Sequence, residues 1–446
     1  MSTGIYSVAT TSDKKIHRAW SMYDWANSAY NLVITTTIFP AYYDAITTTK
    51  DAAGNIISHK IQFLGWQFES ASLYNYAISL AYLVIAVLSP ILSSIADYKG
   101  NKKSFMQFFT LLGSVACCAL FWFEKDTLLL GIACVIIAAI GYCGSLVFYN
   151  SYLPEIAAEQ DRDRVSAKGF AYGYIGSVIL QIVCFFFVLK PEWFGIKDGS
   201  FAPRLSFLLV GLWWIGFAQI TFTHLPKSKP AAQNKKQNIL TNGFKELKKV
   251  WLQVKNLPVL KRYLLSFFFY SMGVQTVMIA AALFASQVIG LPAPKLIISL
   301  LIIQIVAIAG AYIMAKLSDH YGNFRVLMLV VLLWICICVA AYFVSTEMQF
   351  YIIAVVVGLV MGGIQSLSRS TYAKIMPPTH DTASFFSFYD VTEKVAIVIG
   401  VFSFGFVQQI TGNMRNAIGA LVVFFVFGFI GLFLTLNKQK REGTMT

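Results

Sequence analysis

The sequence predicts an all-α membrane protein with twelve transmembrane helices in two six-helix bundles. Three observations carry this. The 446-residue chain is 57% hydrophobic and only 13% charged, about half the roughly 25% charged share of a soluble domain. It holds repeated apolar stretches long enough to cross ~30 Å of hydrocarbon as helix, which takes about 20 residues each. Those stretches fall six and six about a basic central segment.

Taken in order, the helices are expected at about 19–46, 69–96, 104–123, 127–153, 166–189, 203–225, 263–289, 294–317, 324–344, 348–373, 384–410 and 415–437. Irregular backbone cannot face lipid, so each crossing must be helical. The expected division is an N-terminal bundle over 1–225, a linker over 226–262 and a C-terminal bundle over 263–446. The polar start, MSTGIYSVATTSDKK, has no apolar core and predicts no cleavable leader. Within the linker, GFKELKKVWLQV can form an amphipathic helix on the membrane surface or serve only as a basic connection. The seven cysteines lie in apolar runs without disulfide or zinc spacing and are expected to pack as small side chains.

The net charge of +14 is not spread evenly. About three quarters of the 35 Lys and Arg residues fall in the two termini, the linker and alternate loops on one side. The positive-inside rule places that side, with both termini, in the cytoplasm. The basicity therefore needs no nucleic acid.

A repeat underlies the two halves. DYKGNKK (97–103) and DHYGNFR (319–325) share the pattern D-x-x-G-N-x-[KR]. Tyr142, Ser145, Tyr149 and Tyr152 of helix 4 are matched in spacing by Gly362, Gln365, Arg369 and Tyr372 of helix 10, at nearly the same offset. Two matches in a six-plus-six chain indicate duplicated bundles, the organisation of secondary transporters with a site at the repeat interface.

The D-x-x-G-N loops resemble the signature of the major facilitator superfamily, with departures at Ser93, Tyr98 and Asn101 and at Ala315, His320 and Asn323. YDWANSAY (23–30), NSYLPEIA (150–157), RVSAKGFAYGYIGS (164–177) and FFSFYDVTEKVAIVIG (385–400) together resemble its vacuole-effluxer-like branch, whose eukaryotic members are similar to autophagy-associated amino-acid effluxers. The resemblance implies the major facilitator fold and a transport path lined by helices 1, 4, 7 and 10. It implies the plasma membrane in a bacterium and the vacuolar membrane in a fungus.

Polar residues mark that path. Asp24, Asn27, Ser28, Asn31 and Thr35 form a stripe at helical spacing on helix 1. Two readings of Asp24 stand: a proton or cation site in a solvated cavity, or an interfacial acid that pairs with a base such as Arg18. Asn27, Asn31, Tyr142, Ser145, Tyr149, Asn150, Tyr270, Gln275, Gln365 and Arg369 are the expected solute contacts, with helix–helix hydrogen bonding as the plainer reading. On helix 11, Asp390 and Lys394 have the favourable i, i+4 order and are expected to support a cytoplasmic gate. Glu393 is left without an in-helix partner and joins Asp24 as a proton-coupling candidate. The loops supply the remaining gate residues: Asp97, Gly100, Lys102, Lys103, Asp319, Gly322 and Arg325. Gly169, Gly173 and Gly176 of helix 5 are read as close-packing positions.

These readings predict a secondary active transporter, expected as a monomer among membrane lipids. It would carry a small polar solute, an amino acid among the candidates, with protons as coupling ion by symport or antiport. No phosphate-binding loop, catalytic triad or metal cluster is visible, so neither an enzyme nor a cofactor or metal is expected. A lipid flippase on the same fold and a non-transporting receptor are the alternatives.

Overall fold

The computed structural model describes residues 13–50, 56–227 and 239–442. Eleven of its helices are long and apolar enough to cross a membrane. The remaining crossing is helix 1, which runs in three joined segments: an α-helix Lys14–Ala29, a π-helix Tyr30–Thr37 and an α-helix Ile38–Thr47. The break has a local cause. Thr36 Oγ1 donates to the Asn31 carbonyl at 2.8 Å and Thr37 Oγ1 to the Leu32 carbonyl at 2.7 Å, both five residues back. Hydroxyls thus serve carbonyls that a widened turn frees.

Helices 2 to 6 are Ser70–Lys99, Lys102–Ala119, Leu128–Ser151, Arg162–Leu189 and Phe201–His224. Helices 7 to 12 are Pro258–Gln287, Ala293–Tyr321, Asn323–Phe343, Glu347–Ile375, Thr382–Thr411 and Met414–Arg441. Helix 7 starts earlier than expected because Pro258 occupies its first turn, where the missing N–H is no loss. Between helices 1 and 2, the strands Lys60–Phe63 and Trp66–Glu69 form an antiparallel hairpin absent from the sequence reading.

The linker carries a helix, Ile239–Asn256. It docks on the protein: Val250 and Val254 are buried, Lys249 Nζ lies 3.2 Å from Asp381 Oδ2, and the Trp251 ring stands 5.8 Å from Phe388. It therefore covers the start of helix 11 as well as joining the bundles. The face that holds this helix, the 97–103 and 319–325 loops and both described chain ends is called the basic face below.

Small residues set the packing within and between bundles. Gly113 and Gly141 bring helices 3 and 4 to backbone contact. Gly173 and Gly176 do the same for helix 5 against Ser28 and Trp25 of helix 1. In the second half, Gly310 of helix 8 and Gly362 of helix 10 repeat the device.

Candidate functional site

Arg369 leaves helix 10 and inserts its guanidinium into the N-terminal bundle. Its Nη1 and Nη2 lie 3.2 and 3.3 Å from Asp24 Oδ2. Tyr149 donates its hydroxyl to the same oxygen at 2.8 Å. Arg369 also donates to Ser166 Oγ (3.0 Å), the Ser166 carbonyl (2.9 Å) and Asn150 Oδ1 (3.2 Å). Phe170 and Trp20 flank the guanidinium, with centroids 4.1 and 4.8 Å away, and Trp20 stacks on Tyr149 at 4.4 Å. Desolvating two charges is tolerable only with this degree of satisfaction, and a planar guanidinium can supply it where an ammonium cannot. Gly169 makes the room: a Cβ there would stand 2.5 Å from Asp24 Oδ2 and 2.9 Å from Arg369 Nη2. The partner of Asp24 is thus Arg369 from the other bundle, and not Arg18.

Asp24 and Arg369 line a central cavity of about 200 Å³. Asn31, Asn150, Tyr142 and Tyr174 line it from the first bundle, and Tyr270, Gln275, Gln304 and Gln365 from the second. Glu393 and Lys394 line it from helix 11. The wall therefore offers charge of both signs, amides and phenolic hydroxyls, from both halves of the chain.

Several expectations change. Asn27 lies off the cavity, buried, its Oδ1 accepting from Ser28 and its Nδ2 without a partner among the described residues. The cavity instead takes Asp24, Ser28 and Asn31, the i, i+4, i+7 line. The π-segment ends the stripe at Asn31, and Thr35 does not line the cavity. Ser145 is buried and donates to the Tyr142 carbonyl within its own helix. Tyr149 touches Asp24 and not the cavity.

Glu393 is not left alone. Lys394 Nζ stands 3.4 Å from Glu393 Oε2 and 3.4 Å from Asp390 Oδ1, and Gln275 donates to Glu393 Oε1 at 3.0 Å. Neighbouring helical residues diverge by ~100°, but a lysine stem is long enough to swing its ammonium sideways. Lys394 consequently belongs to the cavity wall and not to a gate at the helix start.

At the basic face the expected gate residues make contacts between the bundles. Asp97, at the end of helix 2, reaches the opposite bundle and accepts from the Ala383 N–H (3.2 Å), the Ser384 N–H (2.7 Å) and the Ser384 hydroxyl (2.7 Å). It caps helix 11 from outside that helix, satisfying N–H groups that Asp381 leaves open. Lys102 sits 3.6 Å from Asp97, pairs with Glu155 and donates to Thr382 at 2.6 Å. Gly100 ends helix 2 at φ 66°, and its turn lets the chain reverse before Lys102. Lys103 instead ties helix 3 to the Leu225 carbonyl at 3.1 Å, inside one bundle.

The repeat loop is not used the same way. Asp319 is exposed, makes no hydrogen bond or ion pair among the described residues, and with exposed Arg325 lines a surface groove. Gly322, at φ 82°, makes only the turn. The crossing contact is made by Asp163 at the start of helix 5. It accepts from Ser318 Oγ (2.8 Å), Asn323 Nδ2 (2.7 Å) and Lys374 Nζ (2.6 Å). Arg162 beside it donates to the Ala373 carbonyl at 2.8 Å. Farther in, Ser166 donates to the Ser366 carbonyl (2.8 Å) and Tyr174 to Gln365 Oε1 (2.7 Å). Stacked polar layers thus seal the bundles from the basic face up to the cavity.

Sequence reasoning missed Asp163, Glu155, Thr382 and Ser384 at the gate and Trp20, Ser166 and Phe170 around Arg369. Three of the seven, Glu155, Ser166 and Phe170, stood inside the quoted motifs, but nothing in the spacing ties any of them to partners more than 150 positions away.

Two six-helix bundles about a polar central cavity, sealed on one side by crossing contacts, define a major facilitator transporter. Solved structures agree on the fold. A fucose transporter of this superfamily in the outward conformation superposes with TM-score 0.68 at 14% identity, covering 94% of this chain and 97% of its own. A bacterial homologue of the iron transporter ferroportin in an outward-facing state gives 0.66 at 11%, covering 95% and 98%. Sequence narrows the class further. Residues 12–444 match the family described as "Vacuole effluxer Atg22 like", and the chain belongs to that family. It is 32% identical to an uncharacterized MFS-type transporter, YxiO, of Bacillus subtilis over 96% of both chains. It is 24% identical to autophagy-related protein 22 of Coccidioides immitis, over 86% of this chain and 75% of that one.

Proposed function

We propose that this transporter carries a small zwitterionic solute of amino-acid size by alternating access, with protons as the coupling ion. The observation that carries the reading is the cavity at the bundle interface, lined by two charged pairs, Asp24–Arg369 and Glu393–Lys394. A zwitterion finds charges of both signs on this wall, and amide and phenolic groups serve its remaining polar atoms. At about 200 Å³, the cavity lies below the ~300–1,000 Å³ typical of drug-sized ligands. The family's effluxer description supports a soluble cargo. The charged and amide groups on the wall, beside apolar Leu146, Phe267, Val274 and Ile397, favour a polar solute over a lipid as cargo.

Asp24 and Glu393 are the carboxylates proposed to couple proton movement to solute. The charge distribution supports a cytoplasmic basic face with both termini inside. The cavity then communicates with the outside of a bacterial cell or the lumen of a vacuole when the basic face is closed. The transporter works as a monomer.

The test is uptake of labelled amino acids into proteoliposomes under an imposed pH gradient, preceded by a thermal-shift screen of amino acids, dipeptides and sugars. A ligand at about 100 times its Kd stabilises the fold by ~2.7 kcal/mol. Gradient-driven uptake that Asp24→Asn abolishes, in a variant that still shows a cooperative melting transition, is the expected result. Full coupling in that variant removes Asp24 from the mechanism, and phospholipid binding without amino-acid binding overturns the reading.

A further inference from the structure

Helix 11 carries a charge imbalance that neither the gate nor the Asp24–Arg369 pair absorbs. Asp390 and Glu393 lean on one ammonium, Lys394, each at 3.4 Å. Among the described residues, the other groups around them bring no second cation. Helix 7 offers the Gln275 amide, 3.0 Å from Glu393, and the Tyr270 hydroxyl. Helix 2 offers the Tyr82 ring, 5.7 Å from Lys394 Nζ. Helix 4 offers the Cys143 thiol and Tyr142, and helix 11 itself adds Tyr389. Arg369 is already engaged by Asp24, Asn150 and Ser166. Among the described residues, the cavity's two carboxylates and Asp390 behind Lys394 therefore face two cations.

The surplus has an address. Asp390 is 5% exposed, and its Oδ2 has no partner among the described residues. An ionised oxygen buried without a donor is far more costly than a neutral carboxyl in the same place. Glu393 differs: it is bonded at both oxygens and opens on the cavity.

We propose that Asp390 and Glu393 share one exchangeable proton, with Lys394 balancing the remaining charge, and that this pair is a proton-carrying site of the transport cycle, separate from Asp24. The inference rests on the proton-coupled reading above and extends it to Asp390. In the loaded state an O–H bond closes one carboxyl, and the trio is neutral. On release that bond breaks and the proton passes by way of Glu393 to water in the cavity, leaving two carboxylates on one ammonium. Asp24 takes no part in this exchange.

Infrared spectroscopy of the full chain in lipid nanodiscs tests the site without any solute. The wild type is expected to show the C=O stretch of a protonated carboxylic acid at neutral pH. Sharing predicts that Asp390→Asn and Glu393→Gln each abolish the band, because either variant leaves one carboxylate alone with Lys394 and therefore ionised. Asp24→Asn keeps the band. The use of two variants keeps the test open should one fail to fold. A wild type without the band, or a band untouched by both variants, overturns the proposal. A band with the expected pattern in a protein whose uptake ignores a pH gradient overturns the coupling reading and leaves the shared site standing.

Discussion

Asp97→Ala is the sharpest perturbation of the gate. Asp97 accepts three hydrogen bonds from the first turn of helix 11, two of them at 2.7 Å, and all cross between bundles. Under the proposed alternating access they hold only while the basic face is closed, so their loss weakens that state alone. Truncating a helix cap costs about 0.5–2 kcal/mol, and a hydrogen bond to a charged group contributes about 1.5–3 kcal/mol. Lys102 keeps Glu155 and Thr382 and offsets part of this. A net loss of about 2–3 kcal/mol shifts the closed-to-open ratio by ~30- to 150-fold at 1.4 kcal/mol per decade.

The assay is electron–electron distance measurement between spin labels at Arg164 and Arg325, which are exposed on opposite bundles at the basic face. It requires a background without the exposed Cys336. The long-distance population is expected to grow at the expense of the short one, with Asp97→Asn between the two because it keeps an acceptor oxygen. Distance distributions identical to wild type in a folded Asp97→Ala variant refute the assignment of Asp97 as a gate residue.

Gly169→Ala should lower the melting temperature and uptake together. Helix propensity alone would stabilise by about 1 kcal/mol, so a net loss of about 1–3 kcal/mol reports the collision with Asp24 and Arg369. Arg369→Lys keeps the charge but cannot reach Asp24, Asn150 and both Ser166 oxygens together. Uptake should fall more than tenfold, with destabilisation measurable by thermal melting, and wild-type rates would show that only charge matters. Asp163→Asn removes the carboxylate facing Ser318, Asn323 and Lys374 and should cost about 1–3 kcal/mol in melting. The equivalent change at exposed, unpaired Asp319 should stay within about 0.5 kcal/mol.

The fold was legible because hydrocarbon thickness sets helix length and lipid forbids irregular backbone. Much of the cavity was legible for a related reason. Polar residues such as Asn31, Gln275 and Arg369 are rare in apolar runs and must turn inward. What a helical wheel cannot convey is register along a broken helix. The π-segment in helix 1 begins at Tyr30, and it separates Thr35 from the line of Asp24, Ser28 and Asn31. Nor does spacing report long side chains: Lys394 reaches Glu393 next to it as well as Asp390 one turn away.

The gate exposes a deeper limit of repeat reasoning. Duplication conserves the backbone that brings helix 2 against helix 11, and helix 8 against helix 5. It does not conserve which helix supplies the acid. In one contact Asp97 on helix 2 meets Ser384 on helix 11; in the other, Asp163 on helix 5 meets Ser318 on helix 8. Asp163 precedes Ser384 by nearly the repeat offset, so carboxylate and hydroxyl have changed places across the pseudo-twofold axis. Either arrangement joins one acceptor to one donor and closes the same face. A charged repeat motif therefore predicts where the bundles meet, while the residue that holds them must be found from the partner helix. Asp319 keeps the motif and lacks the contact because Asp163 already supplies the negative charge there.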